Sequence, residues 1–177
     1  MPRLFIGLEI PDDVADQLSS LRGGIAGARW IVPDDYHVTL RFIGDIDPRL
    51  ADDLVEALDG VRAKPIRVKF DGLSAFGGDK PHTVVARVKP SVALSDLQGE
   101  LERRARRLGL APEPRKFTPH VTLARLRHST PQDVAGYLSI RPALSLPAFT
   151  ADRVALFSAR ESVGGGPYRL ETTFALA

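Results

Sequence analysis

Apolar and polar residues alternate along this chain with two periods, and the periods mark out its elements. Leu4 to Ile10 reads as a strand. Pro11-Asp12-Asp13 then opens a helix with Val14, Leu18 and Leu21 on one face, stopped by Gly23-Gly24. Trp30-Ile31-Val32 precedes a turn at Pro33-Asp34-Asp35, and a strand from His37 ends near Gly44. Asp47-Pro48 starts a second helix, with Leu50, Leu54, Leu58 and Val61 at helical spacing. Strands are expected over about Ile66 to Phe76 and His82 to Val88, split by Gly77-Gly78-Asp79. Leu94, Leu97, Leu101, Ala105 and Leu108 make a third amphipathic helix, ended by Gly109. A proline-containing loop, Ala111 to Pro119, leads into a strand that starts at His120. Thr130-Pro131-Gln132-Asp133 reads as an N-cap with proline at the first position of a short helix. The tail, Ala143 to Leu176, reads as strands around a Gly164-Gly165-Gly166-Pro167 turn. Helices mixed with strands on short turns predict an α+β fold with antiparallel sheets. At 177 residues the chain can form one domain with a substantial core, or two small packed lobes, and a single domain over 1–177 is expected.

Two strands carry nearly the same text. His37-Val38-Thr39-Leu40 and His120-Val121-Thr122-Leu123 lie 83 positions apart. Side chains two apart on a strand share a face. Each His therefore faces the same way as its Thr, while Val38 and Leu40, or Val121 and Leu123, point into a core. His128-Ser129-Thr130 has the same spacing but runs straight into the Pro131 helix start. His82 has Thr83 beside it, so those two would face opposite ways on a strand. Only His37 and His120 combine the spacing with apolar flanks.

Composition narrows the field without deciding it. Apolar content of 44% and charged content of 26% are ordinary for a globular protein. The formal net charge is only +2, so the pI near 9.1 overstates the basic character. No cysteine is present, which excludes disulfides and thiolate chemistry and suits a reducing interior. Leu4 to Ile10 is too short, and too interrupted by Glu9, for a signal peptide, and no apolar run approaches a membrane span. A cytoplasmic location with no membrane partner is expected. The charge is unevenly placed: Arg103 to Arg127 holds eight basic residues and one acid, Glu113. Arg103 to Arg107 read as a solvated helix end that complements the helix dipole. Arg125, just past the second motif, reads as an anion-binding residue.

If both His strands face one cleft, one imidazole can take a proton from a nucleophile while the other gives one to a leaving oxygen. Thr39 and Thr122 can donate to non-bridging phosphate oxygens, and Arg125 can add a charge-assisted contact. That scheme needs no metal or other cofactor. A zinc site is the rival reading of paired histidines, but it needs a third ligand and usually shows closer spacing. Strict alternation would put Arg125 off the His120 face, so its role needs a bulge or a strand end. Phe42 has the same difficulty and is read as core. A cleft that binds RNA ends without turning them over is a further alternative. Binding alone would use Arg and Lys more readily.

The paired motifs resemble those of the two-histidine phosphoesterases. Arg3-Leu4-Phe5-Ile6-Gly7, Trp30-Ile31-Val32-Pro33, Leu40-Arg41-Phe42-Ile43-Gly44 and Phe117-Thr118-Pro119-His120-Val121-Thr122-Leu123-Ala124-Arg125 narrow the resemblance further. They are similar to the bacterial and archaeal RNA 2′,3′-cyclic phosphodiesterases, also called 2′-5′ RNA ligases. The resemblance implies a bilobal α+β fold with pseudo-two-fold symmetry, each lobe giving one motif to a central cleft. It implies a hydrolase that opens RNA 2′,3′-cyclic phosphate ends to 2′-phosphates without a metal. It also implies reversible, ATP-independent 2′-5′ joining of tRNA halves. By the same resemblance His120 is the proton acceptor, His37 the proton donor, and Thr39, Thr122 and Arg125 hold the phosphate, in a monomer. A small cyclic phosphate, from a cyclic nucleotide or from ADP-ribose, remains an alternative substrate.

Overall fold

Three of the four α-helices among the described residues begin on a side-chain cap that the sequence spells out. The structure is a computed structural model and describes residues 3–140, 145–159 and 167–177. The expected Gly164 to Gly166 turn falls outside those residues. Helix α1 (Asp12–Ser19) starts behind Pro11 with Asp12 and Asp13 at the positive end of its dipole. Asp47 accepts from the Leu50 amide at the head of α2 (Pro48–Asp59). Ser91 does the same for Leu94 in α3 (Val92–Arg107), and Thr130 for Asp133 in α4 (Pro131–Ser139). Helix α3 ends as its glycine predicts. Gly109 has φ +91, and the Leu110 and Gly109 amides donate to the Ala105 and Arg106 carbonyls.

The strands are β1 (Arg3–Glu9), β2 (Ala28–Trp30), β3 (His37–Asp45), β4 (Ile66–Val68), β5 (Phe70–Phe76), β6 (Thr83–Val88), β7 (His120–Leu126), β8 (Phe149–Ala151), β9 (Arg153–Ala159) and β10 (Tyr168–Ala175). A 3-10 turn, Pro33–Asp35, precedes β3. The main sheet runs β10-β9-β1-β3-β7-β6-β5, with β2 also paired to β7, and every ladder is antiparallel. The two His strands are therefore neighbours at the middle of the sheet. The expected Ile66–Phe76 strand is two strands. Ile66 to Val68 pair with β8 in a separate ribbon, and Phe70 onward pairs with β6. The apolar alternation runs on through Lys69, so the change of partner leaves no mark in the sequence.

Alternation sends Val38, Leu40, Val121 and Leu123 away from their histidines into the main core, where each is 0–3% exposed. There they join Val14 and Leu18 of α1, Leu54 and Leu58 of α2, and Leu94, Leu97 and Leu101 of α3. Burying one such side chain contributes roughly 1.5–3 kcal/mol. The motif strands are thus held by their apolar rows, which leaves their other face free for chemistry. One buried ion pair ties this core to the loop before β7. Arg41 meets Glu102 of α3 and donates to the Phe42 and Ala111 carbonyls, and Glu102 also accepts from the Glu113 amide.

Candidate active site

Val38 pairs with Val121 across β3 and β7. That antiparallel register sets His37 across from Thr122 and Thr39 across from His120. The two imidazoles are thus a diagonal pair on one face, which ordinary sheet geometry separates by roughly 7–8 Å. They line a cleft of about 680 Å³ together with Thr39, Thr122 and Arg125. All five residues assigned from the sequence are brought together.

Each imidazole is oriented in the same way. His37 Nδ1 lies 2.9 Å from the Asp35 carbonyl oxygen, and His120 Nδ1 lies 2.7 Å from that of Thr118. A carbonyl only accepts, so Nδ1 carries the hydrogen in both rings and each neutral ring keeps its Nε2 lone pair. At His37 that Nε2 accepts the Thr39 hydroxyl at 2.9 Å. Aromatic rings fix the imidazoles from behind. Phe5 lies 4.6 Å from His37, Tyr168 meets it edge-on at 5.0 Å, and Phe76 meets His120 edge-on at 5.0 Å. Burial, aided by the charges of His120 and Arg125, outweighs the Asp35 carbonyl and lowers the His37 pKa to about 4. Burial also lowers His120, against its Thr118 carbonyl and with Arg125 and Arg115 adding to the effect.

Arg125 reaches the cleft through a bulge. On β7, Thr122 pairs with Val85 and Ala124 with Val84, so Leu123 is an extra residue on that strand. Leu123 and Ala124 are consecutively buried, and the phase flips before Arg125. β3 does the same thing at the equivalent place. Thr39 pairs with Gly7 and Arg41 with Ile6, which leaves Leu40 extra. Phe42 then turns outward, 40% exposed and lining the cleft. The core reading of Phe42 is corrected: the bulge at Leu40 moves it to the histidine face.

The basic stretch divides as expected. Arg103 and Arg104 pair with Glu100 and Arg106 with Glu102, while Arg104 also donates to the Ala57 and Gly60 carbonyls at the end of α2. Arg115 and Lys116 line the cleft, with Arg115 paired to Glu113. His128 holds a left-handed turn, φ 64, before α4. His82 lines the cleft, although the sequence assigns it no role. Its Nδ1 lies 2.8 Å from the hydroxyl of buried Thr83, which pairs across the ladder with Arg125. The missing signal is a cross-strand partnership, which one sequence does not display. Among the described residues, no group of three His, Cys, Asp or Glu side chains assembles that could hold a metal ion.

Fold and site together define a two-histidine cleft on one face of an antiparallel sheet. The model of the LigT-like phosphoesterase family matches residues 8–86 and 88–168, and the chain belongs to that family. It is 34% identical over 117 residues to an RNA 2′,3′-cyclic phosphodiesterase of Aeropyrum pernix, covering 63% of this chain and 66% of that one. A Geobacillus stearothermophilus protein of the same name is 31% identical over 128 residues, covering 68% of this chain and 41% of that one. The chain thus spans less than two thirds of the length of either relative. A Bacillus subtilis protein of that name is 30% identical, with 70% and 71% covered. In fold the chain is similar to a Thermus thermophilus protein (TM-score 0.79, 20% identity, 98% and 97% covered). It is also similar to E. coli LigT solved with 3′-AMP (TM-score 0.75, 22% identity, 99% of each covered).

Proposed function

We propose that this chain opens 2′,3′-cyclic phosphate ends of RNA to 2′-phosphates, with one imidazole taking a proton from water and a protonated second one giving a proton to the leaving oxygen. The observation that carries the reading is the matched orientation of His37 and His120. Each is fixed at Nδ1 by the carbonyl two residues earlier, and both rings line one cleft. Water attacks phosphorus and gives its proton to His120 Nε2. The P–O3′ bond breaks, and O3′ takes a proton from His37 Nε2. Thr39, Thr122 and Arg125 hold the non-bridging oxygens, where charge builds in the transition state. The choice of His120 as acceptor and His37 as donor follows the family resemblance. A 5′-hydroxyl of a second RNA can replace water, lose its proton to His120 and form a 2′-5′ linkage. One cyclic diester is then exchanged for one diester without ATP.

The names of the relatives support RNA as the substrate class. Arg115 and Lys116 on the cleft wall favour a polyanion over a small cyclic phosphate. We take tRNA halves as one such substrate, and the acting form as a cytoplasmic monomer working as one domain. No helix among the described residues is long and apolar enough to cross a membrane. The test is incubation of a short RNA ending in 2′,3′-cyclic phosphate with EDTA present. The expected product carries a 2′-phosphate. A 3′-phosphate product, or activity lost in EDTA and restored by zinc or manganese, overturns the reading.

A further inference from the structure

Three histidines line the cleft, and the third is built differently from the catalytic pair. Thr83 is 2% exposed, and its Oγ1 has two neighbours. Arg125 Nη1 lies 3.4 Å away and His82 Nδ1 lies 2.8 Å away. A guanidinium only donates, so the oxygen accepts from Arg125, and its remaining lone pair and hydrogen let it meet His82 Nδ1 in either sense. Where the hydroxyl donates, the His82 ring carries its hydrogen on Nε2, the tautomer that a phosphate oxygen selects. His37 and His120 differ, because a carbonyl at Nδ1 settles their tautomer as Nδ1–H. The cleft holds two rings fixed at Nδ1 by carbonyls and a third met at Nδ1 by a hydroxyl.

The main chain of His82, an exposed residue, is fixed on both sides. Its amide donates to the Phe76 carbonyl and its carbonyl accepts from Leu126, both at 2.9 Å. Gly77, at φ +110, lies beneath the ring, and a Cβ there would come within 2.7 Å of His82 Cδ2. With Nδ1 against Thr83, Nε2 is the ring nitrogen left for a ligand in the cleft. Arg125 beside it has a buried Nε with no acceptor among the described residues.

We infer that His82 binds substrate as a hydrogen-bond donor, to a phosphodiester oxygen one nucleotide in from the reacting end, and is linked through Thr83 to Arg125. The inference rests on the RNA reading above. The position supports it. Along β7 the cleft groups run His120, Thr122, Arg125, and His82 lies opposite Leu126, one step further out. A polynucleotide continues past the cyclic phosphate in a way that a mononucleotide does not. His82 is therefore a specificity residue for chain length, not a proton-transfer residue.

The test compares a trinucleotide ending in 2′,3′-cyclic phosphate with a mononucleoside 2′,3′-cyclic phosphate. For His82→Ala the KM for the trinucleotide should rise roughly tenfold, the scale of one hydrogen bond to a charged group. Its kcat should stay within about twofold, and the mononucleotide KM should not change. His82→Gln, which keeps a donor, should recover most of the loss. Thr83→Val should raise KM for both substrates, because Arg125 loses its partner. An equal effect of His82→Ala on both substrates, a fall in kcat alone, or no effect overturns the inference. Wild-type enzyme that opens neither substrate overturns the proposed function instead.

Discussion

Val38 and Val121 are the one residue pair among those described that joins β3 to β7. Its antiparallel register sets both histidines and both motif threonines on the cleft face. Both residues are fully buried, so the junction is anchored from the core side while the histidines one position away face the cleft. Removing a histidine takes nothing from that anchor.

His37→Ala and His120→Ala should each lower turnover on a cyclic phosphate end by a factor of roughly a hundred or more. The melting temperature should change little. His128→Ala should keep normal turnover, since His128 shapes a turn before α4. Equal losses at all three positions would remove the basis for the pairing.

The pH dependence follows from the lowered pKa values. Burial first, and then neighbouring positive charge, hold His37 at about 4 and His120 below its ordinary value of 6.5. Both rings are neutral in the empty enzyme at pH 7, yet the reaction needs one protonated. The kcat/KM profile, which reports the free enzyme, should therefore fall about tenfold per pH unit above about 6.5. A bound phosphodiester anion raises both pKa values, so the fall in kcat should come at higher pH. A kcat/KM that stays flat from pH 7 to 8 contradicts this.

The two roles separate by leaving group. A low-pKa phenolate departs without a proton, whereas water still needs an acceptor. A cyclic-phosphate surrogate with such a leaving group should restore His37→Ala far more than His120→Ala. Selective rescue of His120→Ala would reverse the roles and keep the two-histidine mechanism.

Acid should loosen the fold in two steps. His37 is held neutral, with a folded pKa of about 4 against 6.5 unfolded, so its contribution is complete above 6.5 and is lost as pH falls toward 4. Glu102 follows. Burial raises its pKa, but bonds from Arg106, Arg41 and the Glu113 amide outweigh that and hold it at about 2. Its contribution is complete above about 4.5 and is lost as pH falls toward 2. Denaturant melts from pH 7 to pH 2 should show both losses, and Glu102→Gln should flatten only the second.

The helix starts at Asp47 and Thr130 and the two His strands were legible because each is local, written in neighbouring residues. So was the shared face of His37 with Thr39 and of His120 with Thr122, which needs only the period of a strand. Phe42 was read as core and Arg125 was assigned only on condition of a bulge or strand end, because the bulges at Leu40 and Leu123 flip the phase and an apolar alternation looks the same with or without them. His82 was missed because its value comes from Thr83 facing Arg125 across a ladder. The split of Ile66–Phe76 was hidden for a similar reason: the first three residues pair with β8, far along the chain.

One phosphate touching both imidazoles is the centre of the account, and histidine NMR reads it directly. The Nε2 resonances of His37 and His120 are titrated in the empty enzyme and with a bound 2′-mononucleotide, the product of the proposed reaction. Both should titrate below 6.5 when empty, and both should move to higher pKa in the complex while each Nδ1 stays protonated. A complex in which only one ring responds, or neither, contradicts a shared phosphate.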